Sequence, residues 1–367
     1  MPLDARAEAW ARLALLQLPS PAIAALLRAF ESPERIFSVS RSQLAAATSA
    51  ATASRIAMPL DRAVLDQTRE WLSREEHQLI AWDDADYPRA LLTLPDAPPA
   101  LFFMGRRELL NQPSLAIVGS RHATPQGMEN ARAFARALSG AGLTIVSGLA
   151  LGIDGSAHEG ALEGAGSTLA CIGTGPDRVY PPSHRELAHA IAVSGGVLSE
   201  FAPGTPPLRL NFPRRNRLIS GISKGVLVVE ATLSSGSLIT ARLAGEQGRE
   251  VFAIPGSIHS PFSRGCHKLI RDGAKLVETA QDVLDELRFE GLSISPPSTA
   301  HDAARGGSPI SSPHRVIVVA LGGDPCDLDA LIVRTRMEPA ALTAALVELE
   351  LDGHVAALPG GRWQRVV

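Results

Sequence analysis

The sequence predicts an α/β protein: a doubly wound parallel sheet, preceded by a small all-helical unit and followed by a winged helix. Three observations predict it. Short apolar runs alternate with helical patterns from Leu115 to Ile254, as consecutive strand–helix–strand units do. Residues 1–75 are rich in Ala and Leu and carry helical spacing only. Residues 313–367 read as three helices and then two short strands around Pro359-Gly360-Gly361, the element order of a winged helix-turn-helix.

The N-terminal unit places Leu13, Leu16, Leu18, Ile23, Leu26, Leu27 and Phe30 on helix faces. Ser20-Pro21 predicts a helix start, serine as N-cap and proline in the first turn. A nucleic-acid-binding helix-hairpin-helix needs a Gly-rich hairpin, and Leu18-Pro19-Ser20-Pro21 has no glycine, so packing is the reading for this unit. Residues 76–112 form a Pro-rich entry connector, ending in Leu101-Phe102-Phe103-Met104-Gly105. Strands are predicted at 115–119, 143–147, 168–172, 196–199, 226–229 and 251–254, and helices at 126–138, 154–162, 183–193, 214–221 and 236–247. The α/β unit therefore spans 76–287. Residues 288–312, with Ser-Ile-Ser-Pro-Pro-Ser-Thr and Arg-Gly-Gly-Ser-Pro, are predicted as a linker. Helices over 313–321, 327–334 and 338–352 and strands over 354–358 and 363–366 complete the winged helix.

Composition narrows the function classes. The chain has 367 residues, 45% hydrophobic, and a formal net charge of −3. It holds no apolar run of the ~18 residues a membrane helix needs, and Asp4, Arg6 and Glu8 interrupt any signal-peptide core. Cys171, Cys266 and Cys326 are odd in number, far apart and without a CxxC pair. That pattern disfavours both a disulfide framework and a zinc site and fits a reducing cytoplasm. Aromatic residues are only 4%, which limits base stacking.

Against the acidic average, no acid occurs from Pro203 to Val229, and Arg209, Arg214, Arg215, Arg217 and Lys224 fall within that stretch. It leads directly into the apolar run Gly225-Val226-Leu227-Val228-Val229. Cations at the edge of such a sheet, where ligands bind, point to a polyanion. Arg215 and Arg217 have a plainer reading, as solvated side chains or as partners of carboxylates such as Glu200 or Glu230, and Phe212 reads equally as core or as a stacking platform.

Three strand ends carry glycine: Gly119-Ser120-Arg121, Ser147-Gly148-Leu149-Ala150-Leu151-Gly152, and Gly173-Thr174-Gly175. Glycine admits close approach of backbone to ligand, and a following helix N-terminus receives phosphate. Each alone is equally a tight strand-to-helix turn. None matches GxGxxG, and no GxxxxGK[ST] occurs, which argues against a dinucleotide fingerprint and a P-loop ATPase. Ser234 to Thr240 opens a helix after a strand, as an anion cradle or as simple capping. Asp154 and His158, four residues apart, share a helix face; fixing the helix start is favoured over a base-and-orienter pair. In the winged helix the recognition-helix stretch 338–352 carries acids and no Lys or Arg, which favours protein contact over duplex reading.

Ala116-Ile117-Val118-Gly119-Ser120-Arg121, Ile145 through Asp154 with Ala157-His158, Val179-Tyr180-Pro181, Leu198-Ser199-Glu200, Phe212-Pro213-Arg214-Arg215-Asn216-Arg217, Val228-Val229-Glu230-Ala231, Ser235 through Thr240, Ile254-Pro255-Gly256 and Leu269-Ile270 with Gly273-Ala274 together resemble the DNA-processing protein A (DprA, also called Smf) family. The resemblance covers residues 85–285; the flanking units match the family's helical (SAM/helix-hairpin-helix-like) and winged-helix domains in outline. It implies an extended Rossmann-like sheet and a protein of natural transformation that binds and protects single-stranded DNA, displaces single-strand-binding protein and loads the RecA recombinase. It further implies a homodimer, with no known cofactor or catalytic turnover. The implied groove is lined by Gly119, Ser120, Arg121, Arg214, Arg215, Asn216 and Arg217; Ser147, Gly148, Phe212, Lys224 and Lys268 complete the expected contact set. One departure is His267, where the family pattern has Asn before Lys268-Leu269-Ile270. The alternative is a nucleoside-monophosphate phosphoribohydrolase of the related lysine-decarboxylase-like (LOG) proteins. Pro255-Gly256-Ser257 stops short of their PGGxGTxxE signature, and Ser235 through Thr240 has no Glu at the right offset.

Overall fold

The computed structural model describes residues 4–289, 312–322 and 325–366. Its centre is a nine-stranded sheet with the strands β1 (His77–Ala81), β2 (Ala100–Gly105), β3 (Ser114–Val118), β4 (Thr144–Ser147), β5 (Thr168–Cys171), β6 (Gly196–Ser199), β7 (Gly225–Val228), β8 (Glu250–Ala253) and β9 (Lys275–Leu276). Their order across the sheet is β1-β2-β6-β5-β4-β3-β7-β8-β9. From β6 to β9 every pairing is parallel, while β1–β2 and β2–β6 are antiparallel. After β3 the chain builds outward through β4, β5 and β6, then returns to place β7 on the other side of β3. The direction of winding therefore reverses between β3 and β7, the place where open α/β sheets bind ligands beyond their strand ends.

The central strands are buried on both faces, which is why they read as continuous apolar runs rather than alternating ones. One face packs Val118, Val146, Val226 and Val228 against Leu218, Ile219 and Ile222 of the helix Asn211–Ile222. The other packs Ile117, Ile145 and Leu227 against Ala131, Ala135 and Leu138 of the helix Pro125–Gly140.

The connector expected at 76–112 holds two strands. Its prolines lie between β1 and β2 rather than in them, and Leu101, Phe102 and Phe103 are fully buried by the layers on either side. Six helices precede the sheet, from Ala5–Leu16 to Arg62–Leu72, around a core of Trp10, Leu13, Ile23, Leu26 and Ile36 that also takes in Ala81 and Ala100. The second helix begins at Ser20 with Pro19 in the N-cap position. The expected serine cap is thus displaced by one residue, and Ser20 Oγ instead donates to the carbonyl of Ala97 at 2.8 Å, tying the helical unit to the sheet.

The linker expected at 288–312 lies almost entirely outside the described residues. After it, helices Ser312–Leu321, Leu328–Thr335 and Pro339–Leu351 pack on a three-stranded sheet of β10 (Cys326–Asp327), β11 (Val355–Leu358) and β12 (Arg362–Arg365), the winged helix the sequence predicts. Among the described residues no helix is long and apolar enough to cross a membrane.

Candidate nucleic-acid interface

A groove of about 760 Å³ opens at the C-terminal ends of β3 and β7. Arg121 follows β3; Phe212 and Asn216 come from the helix Asn211–Ile222; Arg209 precedes that helix; Ser235 and Gly236 lie before the helix Ser237–Glu246. The first turns of both helices are already engaged: Asn211 N donates to the Leu208 carbonyl at 3.0 Å and Pro213 has no N–H, while Ser237 N donates to Ser235 Oγ at 3.3 Å and Leu238 N to the Ser235 carbonyl at 3.2 Å. At this end the helices therefore offer an anion the positive ends of their dipoles rather than free N–H groups. Arg121 and Arg209 are exposed and form no ion pair among the described residues. The Arg121 guanidinium lies 5.6 Å from the Phe212 ring centroid, and Tyr180 approaches the same ring at 5.5 Å. The groove thus joins free cations to an aromatic face, which is what tracking a phosphate backbone and receiving an unpaired base require.

The turn behind Arg121 is braced. Ser120 N donates to the Glu230 carbonyl at 2.7 Å and Ser120 O accepts from Ile153 N at 3.2 Å. The Glu230 carboxylate accepts from Thr124 N (2.9 Å) and Thr124 Oγ1 (2.6 Å), holding the start of the helix Pro125–Gly140. Burial pushes Glu230 above the usual carboxylate range, against the pull of these two bonds. Among the described residues no arginine forms an ion pair with it.

The arginine segment divides by helical periodicity. Phe212, Arg215, Asn216 and Ile219 face the groove, whereas Arg214 and Arg217 point the other way. Arg217, 8% exposed, pairs with Glu200 and lies 3.1 Å from Asp96. Arg214 pairs with Glu200 at 3.0 Å and donates to Gln17 of the N-terminal unit. The plainer reading, carboxylate pairing, therefore holds for Arg217 and not for Arg215, and Arg214, expected in the groove, is turned by the helix toward the same buried Glu200. Arg215 is different again. At 3% exposure it lies under the groove floor and donates through Nη1 to the carbonyls of Gly148 and Cys171. Burial lowers its pKa and raises that of the neighbouring Asp154, which Arg215 and the N–H groups of Ala150 and Gly148 oppose.

Other expected contacts separate from the groove. Ser147 is fully buried and its Oγ donates to the Ile117 carbonyl at 2.6 Å. Gly148 is buried, its N–H spent on Asp154 at 3.1 Å. Lys224 precedes β7, beside Ser114 at the start of β3, and so occupies the opposite edge of the sheet. Lys268 pairs with Asp272 on the surface helix Arg264–Arg271. His267, the family departure, bonds the Gly256 carbonyl at 3.0 Å.

Asp154 and His158 act on the β4 turn rather than on each other. Asp154 accepts from Gly148 and Ala150, while His158 Nε2 accepts from Leu149 N and Nδ1 meets Thr168 Oγ1. Sequence reasoning passed over Tyr180 and His122 as groove residues. Tyr180 was visible in the Val179-Tyr180-Pro181 motif, and His122 directly follows the Gly-Ser-Arg turn. A second cavity of about 690 Å³ lies beside Trp71 and His189, but Glu70, Glu76 and Asp177 line it along with Arg74 and Arg178, a charge balance that does not favour a polyanion.

An open, mostly parallel sheet with two exposed, unpaired arginines at its switch point, joined to a winged helix, defines the class: a Rossmann-like α/β protein with a cationic groove. The chain belongs to the family described as DNA recombination-mediator protein A, whose model matches residues 78–288; that of the DprA winged helix domain matches residues 296–361. It is 44% identical over 293 residues to Protein Smf of Escherichia coli, covering 79% of this chain and 78% of that protein. To the DNA processing protein DprA of Streptococcus pneumoniae it is 48% identical over 220 residues, 59% of this chain and 78% of the relative. The X-ray structure of Streptococcus pneumoniae DprA superposes with a TM-score of 0.67 at 39% identity, covering 78% of this chain and 99% of that one. A Helicobacter pylori DNA processing protein A, whose structure is described for its single-stranded DNA binding mode, matches with a TM-score of 0.53 at 32% identity, covering 57% and 96%.

Proposed function

We propose that this protein binds and protects single-stranded DNA in the groove between β3 and β7, displaces single-strand-binding protein and loads RecA onto the strand, working as a cytoplasmic homodimer without catalytic turnover. The observation that carries the reading is the placement of unneutralised Arg121 and Arg209 in one groove with the Phe212 ring, Arg121 lying 5.6 Å from the ring centroid. The cations take the backbone, and an unpaired base reaches the ring. The single-stranded DNA binding described for the Helicobacter pylori relative supports it. Three free, buried cysteines fit a reducing compartment.

The test is fluorescence anisotropy of labelled oligo-dT, against duplex of equal length, at two salt concentrations. Tight, salt-sensitive binding of the single strand that weakens in Arg121→Ala is the expected result. Equal affinity for duplex at moderate salt overturns the reading, and free base released from AMP above a buffer blank replaces it with the phosphoribohydrolase.

A further inference from the structure

The groove does not end at the sheet. His122 and Phe262 line it and also line a third cavity, of about 420 Å³, immediately beyond. The far wall of that cavity belongs to the winged helix: Pro325, Leu358, Pro359 and Arg362, the last three from the β11–β12 wing. The two spaces are therefore neighbours across one pair of side chains, and a ligand leaving the first meets the wing next.

The chemistry of the seam suits a nucleotide. Phe262, Pro261 and Pro359 give apolar surface of the kind a base packs on. His122, His259 and Arg362 stand around it, all exposed, and Arg362 forms no ion pair among the described residues. Arg209, Arg121 and Arg362 thus give the two adjoining cavities three arginines without an ion pair among the described residues, in a chain whose formal charge is −3. Asp327 is the cross-strand partner of Arg362, but its carboxylate caps the following helix, accepting from Ala330 N at 2.7 Å. Glu348 pairs with His314, and Glu350 accepts from Ala357 N of the wing, so none of these three forms an ion pair with Arg362. The expectation for this unit was protein contact rather than duplex reading by its acidic third helix, and contact of the wing with a single strand is a different interface.

We infer that the single strand continues out of the groove, past His122, into the seam between the sheet and the winged helix, where Arg362 takes a phosphate and Phe262 with the wing prolines takes a base. The winged helix thus extends the single-strand site by its wing and not by its third helix. This rests on the single-strand reading above.

The test compares oligo-dT of about 5 and about 20 nucleotides, bracketing the ~4–16 that such grooves occupy, on the full chain carrying Arg362→Glu, Arg362→Lys or Arg121→Ala. Arg362→Glu is expected to weaken the long oligonucleotide about three- to tenfold and to make its log K versus log salt slope shallower by roughly 0.7, one single-strand phosphate contact. The short oligonucleotide should change less than about twofold, and Arg362→Lys should hold both. Arg121→Ala weakens both lengths. Unchanged long-strand affinity in Arg362→Glu overturns the inference, as does equal loss at both lengths. Tighter binding overturns it too, since the wing then blocks the groove. Wild-type protein that binds neither length overturns the single-strand reading itself.

Discussion

Arg215 donates a 2.5 Å hydrogen bond to the carbonyl of Gly148, so the most deeply placed arginine of the basic segment supports the groove from beneath. It holds the turn after β4 to the end of β5, where it also reaches the Cys171 carbonyl. The cations at the groove surface are Arg121 and Arg209.

That division separates two variants that look alike in sequence. Arg121→Ala should weaken oligo-dT binding, flatten the salt slope by roughly 0.7, and change stability by no more than about 0.5 kcal/mol, as exposed substitutions do. Arg215→Ala leaves two buried carbonyls without donors, at ~1–3 kcal/mol each, and should lower stability by at least ~2 kcal/mol. Urea unfolding alongside anisotropy reads both; an Arg215→Ala protein as stable as wild type would return Arg215 to the ranks of direct contacts.

Glu200 faces Arg214 and Arg217 with its side chain only 1% exposed. Removing one partner of a buried ion pair costs ~3–5 kcal/mol, and Asp96 remains as a second partner of Arg217. Glu200→Ala should therefore destabilise by about 3 kcal/mol, seen as a melting temperature roughly 5–10 °C lower. Because Arg214 also bonds Gln17, limited proteolysis should show the N-terminal helical unit loosening first.

His158 is fully buried, and desolvation takes its pKa from 6.5 down to about 3. The unfolded chain therefore binds more protons than the folded one between these values, and stability rises with pH across that window. The contribution is complete above 6.5 and is lost as pH falls toward 3, when protonated Nε2 can no longer accept from Leu149 N. Denaturant midpoints measured from pH 7 to pH 4 should fall in the wild type and fall less steeply in His158→Gln.

Gly148 sits where a Cβ would lie 2.6 Å from both Asp154 Oδ2 and Arg215 Nη1. Gly148→Ala should destabilise by ~1–3 kcal/mol, the range for overpacking a buried site, and weaken oligo-dT binding by displacing the floor. Gly245, inside the helix Ser237–Glu246 with nothing within 4 Å of its Cβ position, is the contrast: Gly245→Ala should stabilise by about 0.5–1 kcal/mol through helix propensity. Thermal melts of the two variants check the pair.

Much of the fold was legible in the chain. The six predicted strands fall within one residue of β3 to β8, because strands buried on both faces announce themselves as uninterrupted apolar runs. β1 and β2 were hidden by the prolines between them, and β9, at two residues, is too short to carry a pattern. Gly119, Ser120, Arg121, Phe212 and Asn216 were named as a group and do converge on one groove. The sorting of the arginines was partly available too. A helix begun at Asn211 places Arg214 and Arg217 three residues apart on one face and Phe212, Arg215 and Asn216 on another, but a helix begun at 214 leaves Phe212 outside and obscures that split.

The sequence by itself determined the order of elements, the apolar strands, the Gly-rich strand ends and the clustering of positive charge, since each depends on neighbours along the chain. Only the tertiary structure decided which cations are free. Whether an arginine meets phosphate or carboxylate depends on what another part of the chain presents to it. Glu200 comes from the end of β6, the Gly148 carbonyl from the end of β4, and Lys224 is carried to the far edge by the direction of β7. The wing beside His122 and Phe262 is a contact of the same kind, made between residues more than two hundred positions apart for His122 and Arg362, and no local pattern encodes it.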